Sequence, residues 1–590
     1  MKVFKVCFIV LFLVTLFFAT EIRKASLEPL PKLRGDEVIQ SGPPIPYLGG
    51  RSPGDSIGIT TYDYQANGSF GQRLVIDDNG NIHVDWMWCA GAYPGTPRYC
   101  AWNFRYPEGT WFLETQAAPS VSGYVQLDIV RDANPDNQVS AIAYHYDPGA
   151  GYFAWVDTDA GQGWGFWTNN PVTPAAAGHV WPYFCWTENG NIVMATGDQN
   201  VDMQHLYFST DQGNTWTNPY NFDSCGTLSQ FLRASRNSDK VVFVHTQWIT
   251  VYPNVTLDND VYYMLSADGG FTWGPHTNVT NYQPYPTDSV RGHCNVNAIF
   301  DRDDNLHIAW AGRRVTNEYW QASKIFHWDE VSDTITIVSS PSIYYSDPGG
   351  WWIATTTSDP GAWRMPADQP QLVVDLTNND LYCLWHGNDD HNDTSYAGFF
   401  NGEFYGAKST DGGVTWTDYT NLTNTRTPGA PSGACDDEDY MTANPFILND
   451  SIYLTYVEDK DSGAMPQTEG VFTVNPIRVW VFHKDLIPGV KERSSFEAKH
   501  AAPMLDVYPN PFKEKTDIRC MIHDTGYTIQ DFSLKIFDAA GQLIKDFSRS
   551  TIDAGRPTLI TWQGDEPPGV YFVHLETENN RAVEKVVLLR

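Results

Sequence analysis

Basic residues are scarce in this chain. In 590 residues, 38 Lys and Arg stand against 70 Asp and Glu, a formal charge of −32. Long-range repulsion excludes nucleic acid and anionic membrane surfaces as partners, while cations and neutral or basic polymers stay open. Cysteine is also scarce, at 9 residues, and no two stand at C-x-x-C spacing, which excludes the common zinc and dithiol motifs. Long apolar runs are absent apart from one, Val6 to Ala19, behind Lys2 and Lys5. It is shorter than the ~20 residues of a spanning helix, so residues 1–20 read as an export signal and no transmembrane segment is expected. Cys7 opens that run rather than following it, so a lipoprotein anchor is not expected. Export permits disulfides, and Cys89 with Cys100 is the most local candidate pair; the alternative is two buried free thiols.

Aromatic residues, by contrast, are plentiful, with 22 Trp. They fit core layers first and sugar-stacking surfaces second. The chain also repeats a short β-rich run, a polar turn and a second β-rich run. The best copies are LVIDDNGNIHVDW (74–86), FCWTENGNIVMAT (184–196), IFDRDDNLHIAW (299–310) and LVVDLTNNDLYCLW (372–385). Looser copies lie at 127–144, 232–246 and 446–457. Apolar runs around Asn-Gly or Asn/Asp turns predict hairpins, because those residues tolerate positive φ. Seven hairpins about 50 to 75 residues apart, with no helical pattern between them, predict an all-β propeller with long loops. The expected count is seven blades, with six as the fallback. The segment IGITTYDY (57–64) reads as a lone strand that completes the last blade and protects its open edge.

An octapeptide follows three of the hairpins: STDQGNTW (209–216), SADGGFTW (266–273) and STDGGVTW (409–416). Its Asp suits hydrogen bonds to nearby backbone N–H groups, its Gly a left-handed turn, and its Trp packing between sheets. These copies resemble the Asp-box, or BNR repeat, of sialidases and other exported β-propellers, over roughly residues 57–487. That resemblance implies structural roles for Ser209, Asp211, Gly213 and Trp216, for Ser266, Asp268, Gly270 and Trp273, and for Ser409, Asp411, Gly413 and Trp416. A sialidase would add three arginines gripping a carboxylate, a Tyr nucleophile helped by a Glu, and an Asp acid/base. The family's Arg-Ile-Pro tripeptide is absent, and Arg73 in QRLVI is the nearest substitute.

The segments LDVYPNPF (505–512), LKIFDAAGQLI (534–544), ITWQG (560–564), PGVYFVHLE (568–576) and KVVLLR (585–590) carry a second resemblance. They resemble the C-terminal sorting domains of type IX secretion, small immunoglobulin-like β-sandwiches of Gram-negative bacteria of the Bacteroidetes kind. The resemblance implies export to the outer cell surface or the medium, with the secretion machinery as partner. The expected order is signal peptide (1–20), N-terminal extension (21–56), propeller (57–487), linker (488–504) and sorting domain (505–590).

Chemistry is expected on the loops opposite the hairpin turns. His386, Asp389, Asp390 and His391 with Asp436 and Asp439 are the candidate ligand-binding residues. Asp389, Asp390, Asn392 and Asp393 offer hard oxygen donors suited to Ca²⁺, the one cofactor the chain suggests. Tyr440 beside Glu438 could mimic a Tyr nucleophile with its base, with Arg291, Arg313 and Arg364 as the anion grip. Solvated loop charge competes with these readings. The expected function is recognition of an extracellular ligand, a glycan or another polymer; the alternative is a glycoside hydrolase of sialidase type.

Overall fold

A computed structural model describes residues 21–26, 30–34, 43–91, 98–149, 151–167, 178–217, 220–223, 229–248, 258–283, 285–339, 350–488, 504–508, 510–521, 532–539, 541–547, 558–577 and 581–589. The expected export signal and nearly all of the expected linker lie outside them. The chain divides into two compact units, Met1–Val490 and Lys491–Arg590.

The first unit is built from antiparallel sheets. The first sheet holds Leu74–Ile76, Ile82–Cys89, Arg98–Arg105 and Thr115–Gln116. The second holds Ser122–Ile129, Ser140–Tyr146 and Phe153–Thr158, and the third His179–Trp186, Ile192–Asp198, Met203–Ser209 and Tyr220–Asp223. The fourth has nine strands, running from Phe231–Ala234 to Trp352–Ile353. The fifth holds Ala367–Asp375, Asp380–Gly387, Glu403–Ser409 and Thr420–Asn421. In the sixth, Asp437–Ala443, Ser451–Asp459 and Asn475–His483 are joined by Asp55–Thr60, which pairs antiparallel with Asn475–His483. The first strand among the described residues thus completes the last sheet of this unit.

Turn chemistry explains the hairpins. Asp77 accepts from the backbone N–H groups of Asn79 and Asn81, and Asp301 does the same for Asp303 and Asn305. The octapeptides repeat one arrangement three times. Ser409 Oγ accepts from Gly413 N at 2.8 Å, while Asp411 accepts from Thr415 N at 2.9 Å and Thr415 Oγ1 at 2.7 Å. Asp211 and Asp268 hold Thr215 and Thr272 in the same way. Gly213, Gly270 and Gly413 all have φ near +90°. At Gly413 a Cβ would also stand 2.0 Å from the His327 ring, so space and backbone both demand glycine.

Leading strands of several sheets carry a second repeated device. Register slips between Gly123 and Gln126, between Val180 and Tyr183 (opposite Gly197 and Ala195), and between Gly292 and Val296, Asp368 and Gln371, and Asp439 and Thr442. Tyr124, Trp181, Gln369 and Tyr440 sit at four of these bulges with φ between 49° and 54°. A bulge bends the strand and re-aims its side chains. Tyr124, Trp181, Cys294 and Tyr440, from four different sheets, consequently share one buried cluster with Tyr62, Tyr64 and Leu33.

Cys89 and Cys100 are both buried and free. They lie on adjacent strands but out of register, Cys89 opposite Arg98 and Cys100 opposite Met87. Each packs into a different apolar cluster, so the pair does not bond and the free-thiol alternative holds.

The second unit has two sheets, one of Met504–Tyr508, Thr516–Met521 and Thr558–Trp562, the other of Phe532–Asp538, Leu543–Asp546, Gly569–Thr577 and Arg581–Leu588. Tyr571, Val573 and Leu575 alternate into a core with Ile518, Leu534 and Trp562, the period-two pattern of strands packed on one face.

Candidate functional site

Three segments that composition marks as reactive loops fall largely on strands. Asp437–Ala443 leads the sixth sheet, and Val290–Phe300 and Leu306–Val315 are neighbours in the fourth. Acidic and cationic residues here face inward, where burial and partners replace solvent. In Asp437–Ala443, alternation sends Asp437 and Asp439 into a narrow recess of about 20 Å³. Asp63, Asp459 and Glu469 join them there, with Arg364, His386 and Tyr440.

Arg364 makes a two-pronged ion pair with Asp439, the geometry that suits a guanidinium to a carboxylate. Its guanidinium also lies 4.3 Å over the Tyr440 ring. Tyr440 packs against Phe70 and edge-on to Tyr64, and burial raises its phenol well above the ordinary value. His386 Nε2 stands 3.8 Å from Asp439, and burial lowers its imidazole to about 4, so it is neutral. Five carboxylates thus face one guanidinium. Burial drives the carboxyls of Asp63, Asp437 and Asp459 well above their ordinary range. Burial thus favours the protonated form of these carboxyls, and a protonated carboxyl donates a hydrogen bond as well as accepting one.

The N-terminal extension borders this region. Trp363 Nε1 and Gln467 Nε2 donate to the Pro31 carbonyl, and Trp181 Nε1 and Asn67 Nδ2 to that of Leu33. Arg98 and His145 reach the carbonyl of Arg34. Leu33 itself is only 4% exposed.

The remaining candidates separate. Arg291 pairs with Asp258 at 2.6 Å, and Arg313 is buried against the Met365 sulfur, where burial lowers it to about 10. Neither lines the recess, so the three arginines do not converge. Glu438 points to the opposite side of its strand, held by Ser52 and Thr425, and does not accompany Tyr440. Asp436 is paired with Lys460 at 2.7 Å. Asp389 is engaged by Arg426, Tyr405 and Tyr419. Asp390 caps the backbone of Asn392, Asp393 holds Asn401 and Thr427, and His391 is half-buried outside the recess. Their oxygens brace a loop. Among the described residues, the one group of three His, Cys, Asp or Glu side chains with ligand atoms within 4.8 Å is His179, Asp198 and His205. Asp63, Asp459 and Glu469 are acidic recess residues that sequence reasoning missed, because nothing local to their segments marks them as facing His386 and Tyr440.

A family model described as a secretion system C-terminal sorting domain matches residues 506–589. That domain marks proteins exported by type IX secretion, and the chain is accordingly a secreted or cell-surface protein. A comparison with curated proteins finds no significant match. Among solved structures, PorZ of Porphyromonas gingivalis, a surface component of the type IX secretion system, is similar at 12% identity and a TM-score of 0.37. That alignment covers 89% of this chain and 60% of PorZ, less than two thirds of its length. The NanB sialidase of Streptococcus pneumoniae is similar at 10% identity and 0.35, covering 72% and 70%. A leech intramolecular trans-sialidase is similar at 10% identity and 0.35, covering 74% and 71%. The chain is all-β, with sialidase-type propellers among its structural neighbours.

Proposed function

We propose that this exported protein is a seven-bladed Asp-box propeller whose recess beside Tyr440 recognises a hydroxyl-rich extracellular ligand, a glycan or a similar polymer. Seven blades follow if the nine-stranded sheet counts as two, since its halves meet through the single pair Asn259 and Gly292. The two sheets of the C-terminal unit then form the immunoglobulin-like sandwich that presents the chain to the secretion machinery.

One observation carries the ligand reading: five carboxylates and a neutral imidazole surround one guanidinium that is already engaged by Asp439. Sugar hydroxyls can both accept from and donate to such a lining. An anionic sugar would instead find the one guanidinium of the recess already engaged, and the Arg364 fork would have to leave Asp439 to grip it. That disfavours hydrolysis of the sialidase type.

A glycan array with the full chain, run beside a fluorogenic sialoside assay, tests both. Binding without turnover, weakened at least tenfold in Asp437→Asn, is the expected result. Sialoside turnover would establish the hydrolase instead, and neither signal would end both readings.

A further inference from the structure

We propose that His179, Asp198 and His205 form a binding site for a divalent first-row transition metal, with Zn²⁺ the best fit. Topology assembles the three donors at one end of the third sheet. His179 opens the strand His179–Trp186 and pairs across with Asp198, the last residue of Ile192–Asp198. His205 lies on the next strand, Met203–Ser209, opposite Thr196.

The hydrogen bonds sort the nitrogen atoms. His205 Nδ1 is 2.7 Å from Asn221 Oδ1, and an amide oxygen only accepts, so that nitrogen carries the proton. His205 Nε2 is then a bare lone pair. It is buried, has no hydrogen-bond partner among the described residues, and faces Asp198 Oδ2 at 3.7 Å. His179 Nδ1 is held by the Tyr207 hydroxyl at 2.5 Å, and its Nε2 faces the same Asp198 oxygen at 3.8 Å. Asp198 Oδ1 accepts from the Asn200 and Val201 backbone, which leaves Oδ2 aimed at the two imidazoles. A partner on the remote nitrogen of each ligating His is the usual arrangement around protein-bound metals.

Without a cation, the bare His205 Nε2 faces a carboxylate oxygen at 3.7 Å, too long for a hydrogen bond. A divalent ion turns that opposition into three favourable bonds. Zinc bonds of about 2.0–2.2 Å place tetrahedral ligand atoms roughly 3.3–3.6 Å apart, close to the separations here. The two rings stack with centroids 3.7 Å apart and planes 5° from parallel. Ligation therefore requires them to splay so that their in-plane lone pairs converge on the ion. Two imidazoles and one carboxylate favour Zn²⁺ over Ca²⁺ or Mg²⁺, which take mainly oxygen ligands. Three protein donors leave a fourth position open to water or an external ligand.

The test is calorimetric titration of the tag-free, EDTA-dialysed full chain with Zn²⁺, repeated with Co²⁺ to read visible d–d bands of a low-coordinate site. One tight equivalent is expected. His205→Ala and the near-isosteric Asp198→Asn should each weaken it by at least 100-fold, and Tyr207→Phe by roughly 10–100-fold. Asp202→Asn, on the same loop but paired with Lys32, should leave it unchanged. If His205→Ala does not fold, Asp198→Asn carries the comparison. The proposal is overturned by the absence of a stoichiometric equivalent, or by binding that Asp198→Asn leaves intact, which would assign it to scattered surface carboxylates.

Discussion

Glu438 gives the sharpest test of the claim that the acidic strand Asp437–Ala443 is buried rather than a solvated loop. Burial raises this carboxyl to about 8 from an ordinary 4.5, against the lowering effect of hydrogen bonds from Ser52 and Thr425. A folded carboxyl with a raised pKa keeps its proton after the unfolded chain has lost it. Between pH 4.5 and 8 the unfolded state therefore binds fewer protons, and stability falls as pH rises. At about 1.4 kcal/mol per pH unit, the loss accumulated by pH 7 is on the order of 3 kcal/mol. Glu438→Gln removes that loss but adds an amide N–H whose pairing is not assured, a cost of about 1 kcal/mol or more if it stays unpaired. The variant should be more stable than the parent by about 1–3 kcal/mol at pH 7–8. The gain should be gone near pH 4.5, where the folded carboxyl and about half of the unfolded ones hold the proton and only the cost of the amide remains. Urea unfolding of both proteins at pH 4.5, 6, 7 and 8 measures it. A difference that does not change with pH, or a variant less stable at pH 8, would refute the burial argument.

Breaking the two-pronged pair by Arg364→Ala should cost about 3–5 kcal/mol, whereas Arg364→Met with Asp439→Leu should cost less, because no lone buried charge remains. Asp411→Ala removes the acceptor that closes its turn and should lower stability on the order of 1 kcal/mol while glycan binding is unchanged. Leu33→Ala, in a position nearly closed to solvent, should cost about 2–3 kcal/mol by thermal or urea unfolding. Little change would place residues 30–34 outside the folded core. For calcium, the brace that Arg426, Tyr405 and Tyr419 form on Asp389 competes with metal ligation. Chelation should therefore leave the melting temperature unchanged, and a shift of several degrees would instead favour a structural Ca²⁺ ion at Asp389, Asp390, Asn392 and Asp393.

The chain's local chemistry is legible without coordinates. Asp-led turns, glycines that need positive φ and period-two strands act over a few residues, so the hairpins at 74–86, 184–196, 299–310 and 372–385 can be read directly. So can the octapeptide turns, the joining of Asp55–Thr60 to the last sheet, and the sorting domain with its export route. Convergence is a different matter. Asp437–Ala443 looks like a polar loop because its carboxylates are partnered by residues far off in sequence, such as Ser52 and Arg364. The bulges that re-aim Tyr124, Trp181 and Tyr440 leave no mark in a pattern of alternation. Leu33 carries no sign that it will enter a core drawn from several sheets, and His179 stands alone until strand pairing brings it to Asp198 and His205. Turns and strands are set by near neighbours. Which donors meet, which acids keep their protons and where a ligand or metal would sit depend on how separate sheets pack, and only the tertiary structure decides that.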